Sequence, residues 1–333
     1  MALVLPGALG AQQGENGGDY AATPPIAFQT AGASGSDEGA LFLLLPMGAQ
    51  GVGLGRAMTA LESAEGAFWN PAGLAGLQRT EFLLYHGNQV VGDATALSAI
   101  LVRPGTGAVG LSYGLLDIER FEVTDEFGDV VGSIVVRGHQ GILSGAVPVA
   151  RWIQVGLNAK LIRFGLSCRG QCPEGTVQST SYAVDVGTQL RPLRGRNLDV
   201  GVMVAHLGSG MKVQDVEGRE PLPTRLRVGA SYLILREFLE EDVGFRLMAE
   251  WEDRLRDPGS PAFYLGSEIR VGTHDQVFVR GGYVFGDENQ IDGAAVGLGL
   301  RYERVEFGIA RSLARGGPTA DREPVHLTLG VSL

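Results

Sequence analysis

The sequence predicts an all-β membrane protein: a 14-stranded antiparallel outer-membrane β-barrel with a small N-terminal helical plug. Three observations predict this fold. From Arg79 onward, segments of about ten residues alternate between apolar and polar or small side chains. Long connections fall at every second turn, and aromatic residues cluster near strand ends on the apolar face. With 44% hydrophobic and 19% charged residues, the chain is not intrinsically disordered.

The first 37 residues are predicted to lie outside the barrel. Residues 1–11 are apolar and uncharged, and they resemble the end of a secretory signal peptide, with small residues before a cleavage site at Ala8-Leu-Gly-Ala11. A flexible apolar tail is the alternative. Residues 12–37 are rich in Gly, Ala, Pro, Ser and Thr, which is typical of a flexible linker.

The two cysteines, Cys168 and Cys172, enclose Arg-Gly-Gln in a polar stretch. In an oxidising compartment, the simplest interpretation is a small loop-closing disulfide. Two cysteines without a neighbouring histidine cannot complete a tetrahedral zinc site. A redox role is the weaker alternative because the spacing is not Cys-x-x-Cys.

No uncharged stretch is suited to a transmembrane helix, since the longest in the body of the chain, 39–55, contains Pro46 and five glycines. Strand-like alternation is clearest at the end of the chain. There the odd positions from Val325 to Leu333 are apolar, whereas His326 and Thr328 point the other way. The predicted strands are 79–87, 92–103, 107–117, 137–149, 151–166, 179–191, 197–208, 223–236, 240–253, 260–272, 275–286, 291–303, 304–313 and 323–333.

The connections alternate in length, as expected for a barrel with its first strand running outward. The short inner turns include 104–106 and 273–274. The predicted outer loops include 118–136, 167–178, 209–222 and 314–322. A secreted soluble β-protein is the main alternative, but it gives no reason for this asymmetry.

Aromatic residues on the apolar face are predicted to form two girdles at the membrane interfaces. The inner girdle comprises Trp152, Tyr232 and Tyr302. The outer girdle comprises Tyr182, Trp251, Phe263, Tyr283 and Phe285.

Residues 38–78 lack the strand pattern and are predicted to form the plug, with 79–333 forming the barrel. Asn70 is suited to cap a helix that has Pro71 at its first position. Two runs, Gly48-Ala-Gln-Gly-Val-Gly-Leu-Gly-Arg-Ala and Phe68-Trp-Asn-Pro-Ala-Gly-Leu-Ala75, resemble the PorV/PorQ family, which belongs to the FadL-like group of outer-membrane proteins.

The resemblance implies fourteen strands, a number that also guided the strand assignment, and an N-terminal segment that plugs the lumen. Asn70, Pro71 and Ala72 match the shared plug motif of the family. Two features depart from the expected pattern: the chain ends on Leu333 where many outer-membrane barrels end on Phe, and the outer loops are short for a cargo-binding member.

Charged residues of both signs are predicted on the inward face of the later strands, where neighbouring strands bring them within pairing distance. They could select solute or hold the plug, but mixed signs favour a structural salt-bridge lattice over an ion-selective pore. The predicted lumenal charges are Arg225, Arg227, Arg246, Glu250, Glu268, Arg270 and Arg280.

Several functions are disfavoured. A net charge of −10 with only two lysines, Lys160 and Lys212, provides no basic tract for nucleic acid. The five histidines are dispersed, so no metal site and no cofactor are expected. No Gly-x-Ser-x-Gly motif is present, and His326 with Ser332 or Ser312 is the only catalytic pairing that can be constructed. The protein is not expected to be an enzyme.

Two functions remain, both in the outer membrane and in contact with its lipid. The PorV/PorQ resemblance implies an accessory that receives secreted or surface-attached cargo and works with secretion-system proteins, as in type IX secretion. The FadL-like group implies instead a passive channel for hydrophobic small molecules, with apolar ligand contacts at Phe42, Leu43, Leu44 and Phe68. The plug sequence favours the first.

Overall fold

The chain folds into a closed antiparallel β-barrel of fourteen strands, which confirms the predicted fold class. Strand pairing runs in chain order and closes between the first and last strands. The structure, a computed structural model, describes residues 38–89, 92–125, 127–171, 176–192, 197–212, 219–235, 242–286, 292–313 and 324–333. The predicted signal remnant 1–11, the linker 12–37 and Cys172 lie outside the described residues, so the disulfide stays a prediction.

The strands form because apolar residues alternate with small or polar ones over lengths that suit a membrane-crossing strand. Their bounds are β1 Glu81–Gln89, β2 Gly92–Arg103, β3 Gly107–Thr124, β4 Val130–Ala150, β5 Ile153–Gly170, β6 Val177–Leu190, β7 Leu198–Gly208, β8 Arg225–Leu235, β9 Val243–Arg254, β10 Ala262–Val271, β11 Gln276–Phe285, β12 Gly293–Tyr302, β13 Val305–Ser312 and β14 Val325–Ser332.

The apolar side chains of the alternating pattern face outward and the polar ones face the lumen, as predicted. In β14, Leu327 and Leu329 are exposed on the outside of the barrel, whereas His326 and Thr328 are buried inside. Girdle residues such as Trp152 and Tyr182 are likewise exposed on the outside. Among the described residues, no helix is long and apolar enough to cross a membrane.

The prediction that 118–136 is an outer loop was wrong. β3 continues to Thr124 and β4 begins at Val130, so most of this stretch is a hairpin that lengthens the sheet. The hairpin was missed because a register shift between Ile118 and Phe121 interrupts the period-two pattern in β3. Strands β3 to β5 therefore reach well beyond the outer aromatic residues.

The glycines of β4 do not interrupt its pairing with the neighbouring strands. Gly141 and Gly145 lie in an unbroken ladder with β3 and β5. The register of β4 with β5 shifts between Pro148 and Ala150 at the inner end, and its register with β3 shifts only farther out, beyond Val136. The glycines therefore do not mark a kink in the wall.

Residues 38–80 precede β1 and run through the lumen as short helices joined by turns. The segment contains one α-helix, α1 (Ala49–Gly53), and the 3₁₀ helices Leu41–Leu44, Ala64–Ala67 and Pro71–Gly76. Its outer end lies near β8, because the Gly39 amide donates to the Pro221 carbonyl. We call residues 38–80 the plug.

The plug rests against inward-facing glycines that occur once in each of several strands. Their missing side chains allow the plug backbone to approach the wall closely. A Cβ atom at Gly156 would collide with the backbone of Pro71 and Ala72, and one at Gly201 would collide with that of Thr59. The glycines of this belt are Gly156, Gly187, Gly201, Gly229, Gly266, Gly282, Gly297 and Gly308.

Candidate functional site

The Asn-Pro-Ala motif fastens the plug to β6. The Asn70 side chain caps the helix Pro71–Gly76 by accepting a hydrogen bond from the Ala72 amide at 3.1 Å. Its amide nitrogen donates to the Thr59 carbonyl at 2.7 Å and to the Thr188 carbonyl of β6 at 3.3 Å. One buried side chain therefore joins two parts of the plug to the wall.

One side of the lumen is lined with charge. All seven predicted lumenal residues lie on the inward face of β8 to β11, although their functional role stays a prediction. Arg227 Nε lies 3.0 Å from Glu250 and 2.9 Å from Glu252. Arg280 Nε lies 2.8 Å from Glu268. The alternating signs form an ion-pair lattice, the arrangement that the mixed composition favoured.

The same lattice holds the plug. Arg225 donates two hydrogen bonds of 2.8 Å to the carboxylate of Glu38 at the outer end of the plug. Glu250 accepts from the Thr59 amide at 2.8 Å and from the Thr59 hydroxyl at 2.7 Å. Arg227 also lies 5.1 Å from the ring of Trp69, within cation–π range. The charged residues therefore pair with one another and also hold the plug.

A second buried ionic group, which the sequence analysis missed, lies on β5 to β7. Lys160 Nζ is 2.7 Å from Asp185, and both side chains are almost completely buried. Asp185 also accepts from Asn158 at 2.8 Å and from the His206 amide at 2.8 Å. His206 adopts φ 57° where the β6–β7 register shifts. Alternation in the sequence already indicates that Lys160 and Asp185 face the lumen. That the two side chains meet depends on the register between their strands.

The inner half of the lumen contains a polar cavity of about 240 Å³ between the plug and the later strands. Arg246, Arg270 and Arg280 line it from the wall, and Glu65 lines it from the plug. Glu65 is buried and accepts hydrogen bonds from the amides of Gln50 (3.1 Å) and Gly51 (2.9 Å) in α1. Burial raises the pKa of Glu65 from 4.5 to about 7, against the opposing effect of these amides.

Stability is expected to depend on pH through Glu65. Because its pKa is raised in the folded protein, its stabilising contribution is complete below about pH 4.5 and is lost as the pH rises through about 7. We expect the difference in free energy of unfolding between wild type and Glu65→Gln to change by about 3 kcal/mol across this window. Urea unfolding in detergent micelles at several pH values measures it. Parallel stability curves for the two proteins would contradict the prediction.

The outer half of the lumen contains an apolar cluster on the side of β1 to β6. Ile118, Val136 and Ile162 are buried on the inward face of three adjacent strands and pack with the plug. Farther out, Phe121, Ile134, Phe164 and Val177 are half-buried on the same face. We call these four residues the apolar rim. The rim lies where the lengthened strands β3 to β6 lead into the lumen.

The predicted apolar contacts occupy different places. Phe42 and Leu43 are buried in the apolar outer cluster, and the Phe42 ring stacks on Phe164 with a centroid distance of 6.4 Å. Leu44 is half-buried in the same 3₁₀ helix. Phe68 lies deeper, between this cluster and a second one around Trp69. Phe42 and Leu43 are therefore the plug residues best placed to meet an apolar molecule from outside.

The pairing of His326 with serine does not form. His326 Nδ1 lies 2.7 Å from the Tyr85 hydroxyl, and that hydroxyl also accepts from Gln89 at 3.1 Å. The Ser332 hydroxyl donates to the Arg304 carbonyl at 3.4 Å. In the part of the chain that the structure describes, no three His, Cys, Asp or Glu side chains are grouped to hold a metal ion.

Solved structures with a similar fold include hydrocarbon channels and a FadL homologue. The Ralstonia pickettii toluene transporter TbuX matches with a TM-score of 0.58 at 12% identity, over 86% of this chain and 97% of its own. The monoaromatic hydrocarbon channel CymD matches with 0.55 at 14% identity, over 87% and 97%. A Pseudomonas aeruginosa FadL homologue matches with 0.50 at 11% identity, over 86% and 98%.

These identities establish a shared fold and nothing finer. No family model and no curated protein sequence matches the chain. The PorV/PorQ resemblance therefore stays a prediction, whereas the wider likeness to barrels of the FadL type is supported by structure. The plug and the apolar cluster in the outer half of the lumen are the structural features that bear on function.

Proposed function

We propose that the protein is a passive channel of the bacterial outer membrane for hydrophobic small molecules. The observation that carries the proposal is the apolar cluster on the inward face of β3 to β6, where the rim leads to Phe42 and Leu43 of the plug. A water-filled barrel has a polar interior. An apolar surface inside the lumen is therefore suited to molecules that partition out of water.

The structural neighbours support this proposal over a secretion accessory. TbuX is described as a toluene transporter and CymD as a monoaromatic hydrocarbon channel. Nothing comparable favours secreted cargo or secretion-system partners, so the accessory role that the plug sequence favoured is replaced by its alternative. A channel of this kind needs neither catalytic residues nor a cofactor, in keeping with the expectation that the protein is not an enzyme.

The rim offers a direct test of where an apolar molecule binds. A photoreactive aryl diazirine, applied to the folded protein in micelles, is expected to label Phe164 and Phe42, which peptide mass spectrometry can locate. Phe164→Gln is expected to weaken binding about tenfold, since burying a side chain of this size contributes about 1.5–3 kcal/mol. Ser167→Gln is the matched control, because Ser167 is exposed on the opposite face of β5.

Labelling confined to the lipid-facing side chains would contradict the proposal. Equal effects of Phe164→Gln and Ser167→Gln would contradict it as well. Competition by unlabelled toluene, but not by a sugar of similar size, separates a hydrophobic site from general access to the lumen.

A further inference from the structure

The outer edge of the lipid-facing surface is sharply defined on β2 to β6. Strand register joins one outward-facing row across these five strands, namely Leu97, Tyr113, Gly141, Leu161 and Tyr182. The next outward-facing row towards the inner end is wholly apolar, namely Ala99, Leu111, Leu143, Ala159 and Val184. The tyrosines mark the membrane interface, where amphipathic rings are favoured.

On β4 and β5 the outer surface becomes charged within two residues of this row, or about 7 Å along each strand. The next row contains His139 directly opposite Arg163. Arg137 follows two residues beyond His139 on β4, so it lies diagonally across from Arg163. All three face outward, just beyond the tyrosine row.

Arg137 and Arg163 supply the positive charge of this surface, and neighbouring side chains fix the orientation of all three residues. The Tyr113 hydroxyl lies 2.7 Å from His139 Nδ1. Arg163 donates to Gln178 at 2.5 Å, and Arg137 lies 3.2 Å from Asp117, with 54% of its side chain exposed. The acidic residues Asp93 and Asp117 lie opposite each other on β2 and β3, so the two arginines lie on the β4–β5 side of them. In a chain of net charge −10, this surface is an exception.

The surface below the basic residues supports the same interpretation. Gly141 and Gly145 face outward on β4, and no atom lies within 4 Å of the position that a Cβ would occupy at either residue. Exposed side chains of Tyr113, Leu157 and Leu161 flank them on β3 and β5. Gly141 therefore leaves a short apolar channel across the outer surface of β4, between Tyr113 and Leu161 and just below the basic residues, and the exposed side chain of Leu143 closes it on the inner side.

We propose that Arg137, His139 and Arg163 bind the phosphorylated headgroup of an outer-leaflet lipid, whose acyl chain passes through the channel at Gly141. Guanidinium groups match the geometry of phosphate oxygens, and an anionic headgroup complements a basic surface at this height. The channel supplies apolar contact for the chain below. The site is on the outside of the barrel and is independent of what passes through the lumen.

Native mass spectrometry of the folded full-length protein in mild detergent tests the proposal. The probe is bis-phosphorylated lipid A, compared with its fully dephosphorylated form. We expect the double variant Arg137→Gln/Arg163→Gln to weaken binding of the phosphorylated lipid about tenfold or more. Removal of the phosphates should weaken binding to wild type similarly. Arg103→Gln, an exposed arginine at the inner end of β2, is the control and should bind as wild type.

A second variant tests the channel separately. Gly141→Leu fills it without a steric clash and is expected to weaken lipid binding several-fold, while binding still depends on the phosphates. Equal binding by wild type and the arginine double variant would overturn the proposal. Equal binding of the dephosphorylated lipid, or displacement of the lipid by millimolar inorganic phosphate, would overturn it too. Heat-modifiable migration in SDS gels verifies that each variant is folded.

Discussion

Replacing Gly156 with leucine is expected to dislodge the plug and to raise the ion conductance of the barrel about tenfold or more, towards that of a water-filled pore. The inward face of β5 meets the plug at Gly156, and a Cβ there would collide with the backbone of Pro71 and Ala72. Backbone atoms cannot rotate away as a flexible side chain can, so the motif must move. Conductance of single barrels in planar lipid bilayers measures the effect.

Gly145→Leu is the matched control for this experiment. Gly145 lies on β4, next to Gly156 in the sheet, but it faces lipid with open space around it. We expect its conductance to equal that of wild type. If Gly156→Leu also conducts like wild type, the glycine belt does not seat the plug.

Arg227→Met is expected to destabilise the folded protein by about 3–5 kcal/mol, because it leaves two buried carboxylates without their shared cation. Those carboxylates belong to Glu250 and Glu252, each about 3 Å from Arg227 Nε. The substitution also removes the cation from the face of Trp69. Urea unfolding in micelles at neutral pH measures the loss.

Arg103→Met is the control for this loss, since Arg103 is exposed at the inner end of β2. Exposed charges contribute little, so a change within about 0.5 kcal/mol is expected. A loss for Arg227→Met no larger than that of the control would contradict a role for the lattice in holding the folded state.

Alternation of side chains was enough to predict the barrel, because period two distinguishes the lipid face from the lumen in nearly every strand. It failed between Ile118 and Phe121, where a register shift breaks the period and hides the lengthened β3–β4 hairpin. Such a shift depends on pairing with β4 and has no local signature in the sequence. The outer loops were therefore predicted too long and the strands too short.

The candidate site was predictable only in part. Alternation along the strands placed Arg227 and Glu250 on the inward face. The contact of Glu250 with Thr59 depends on how the plug lies in the lumen, which alternation does not predict. The Lys160–Asp185 pair was missed because the two residues lie on different strands and meet only through register. Two residues of the apolar rim, Phe121 and Ile134, lie on the β3–β4 hairpin. They were missed together with the hairpin, because the register shift in β3 hides the period-two pattern there.

The central claim is that hydrophobic small molecules cross the outer membrane through this barrel. Uptake of radiolabelled toluene by cells that lack other hydrophobic channels tests it most directly, with radiolabelled arabinose measured in parallel. We expect the wild-type protein to accelerate toluene uptake but not arabinose uptake, and Phe164→Gln to reduce the acceleration several-fold. Faster uptake of arabinose alone, or no acceleration of toluene uptake by folded protein in the outer membrane, would contradict the claim.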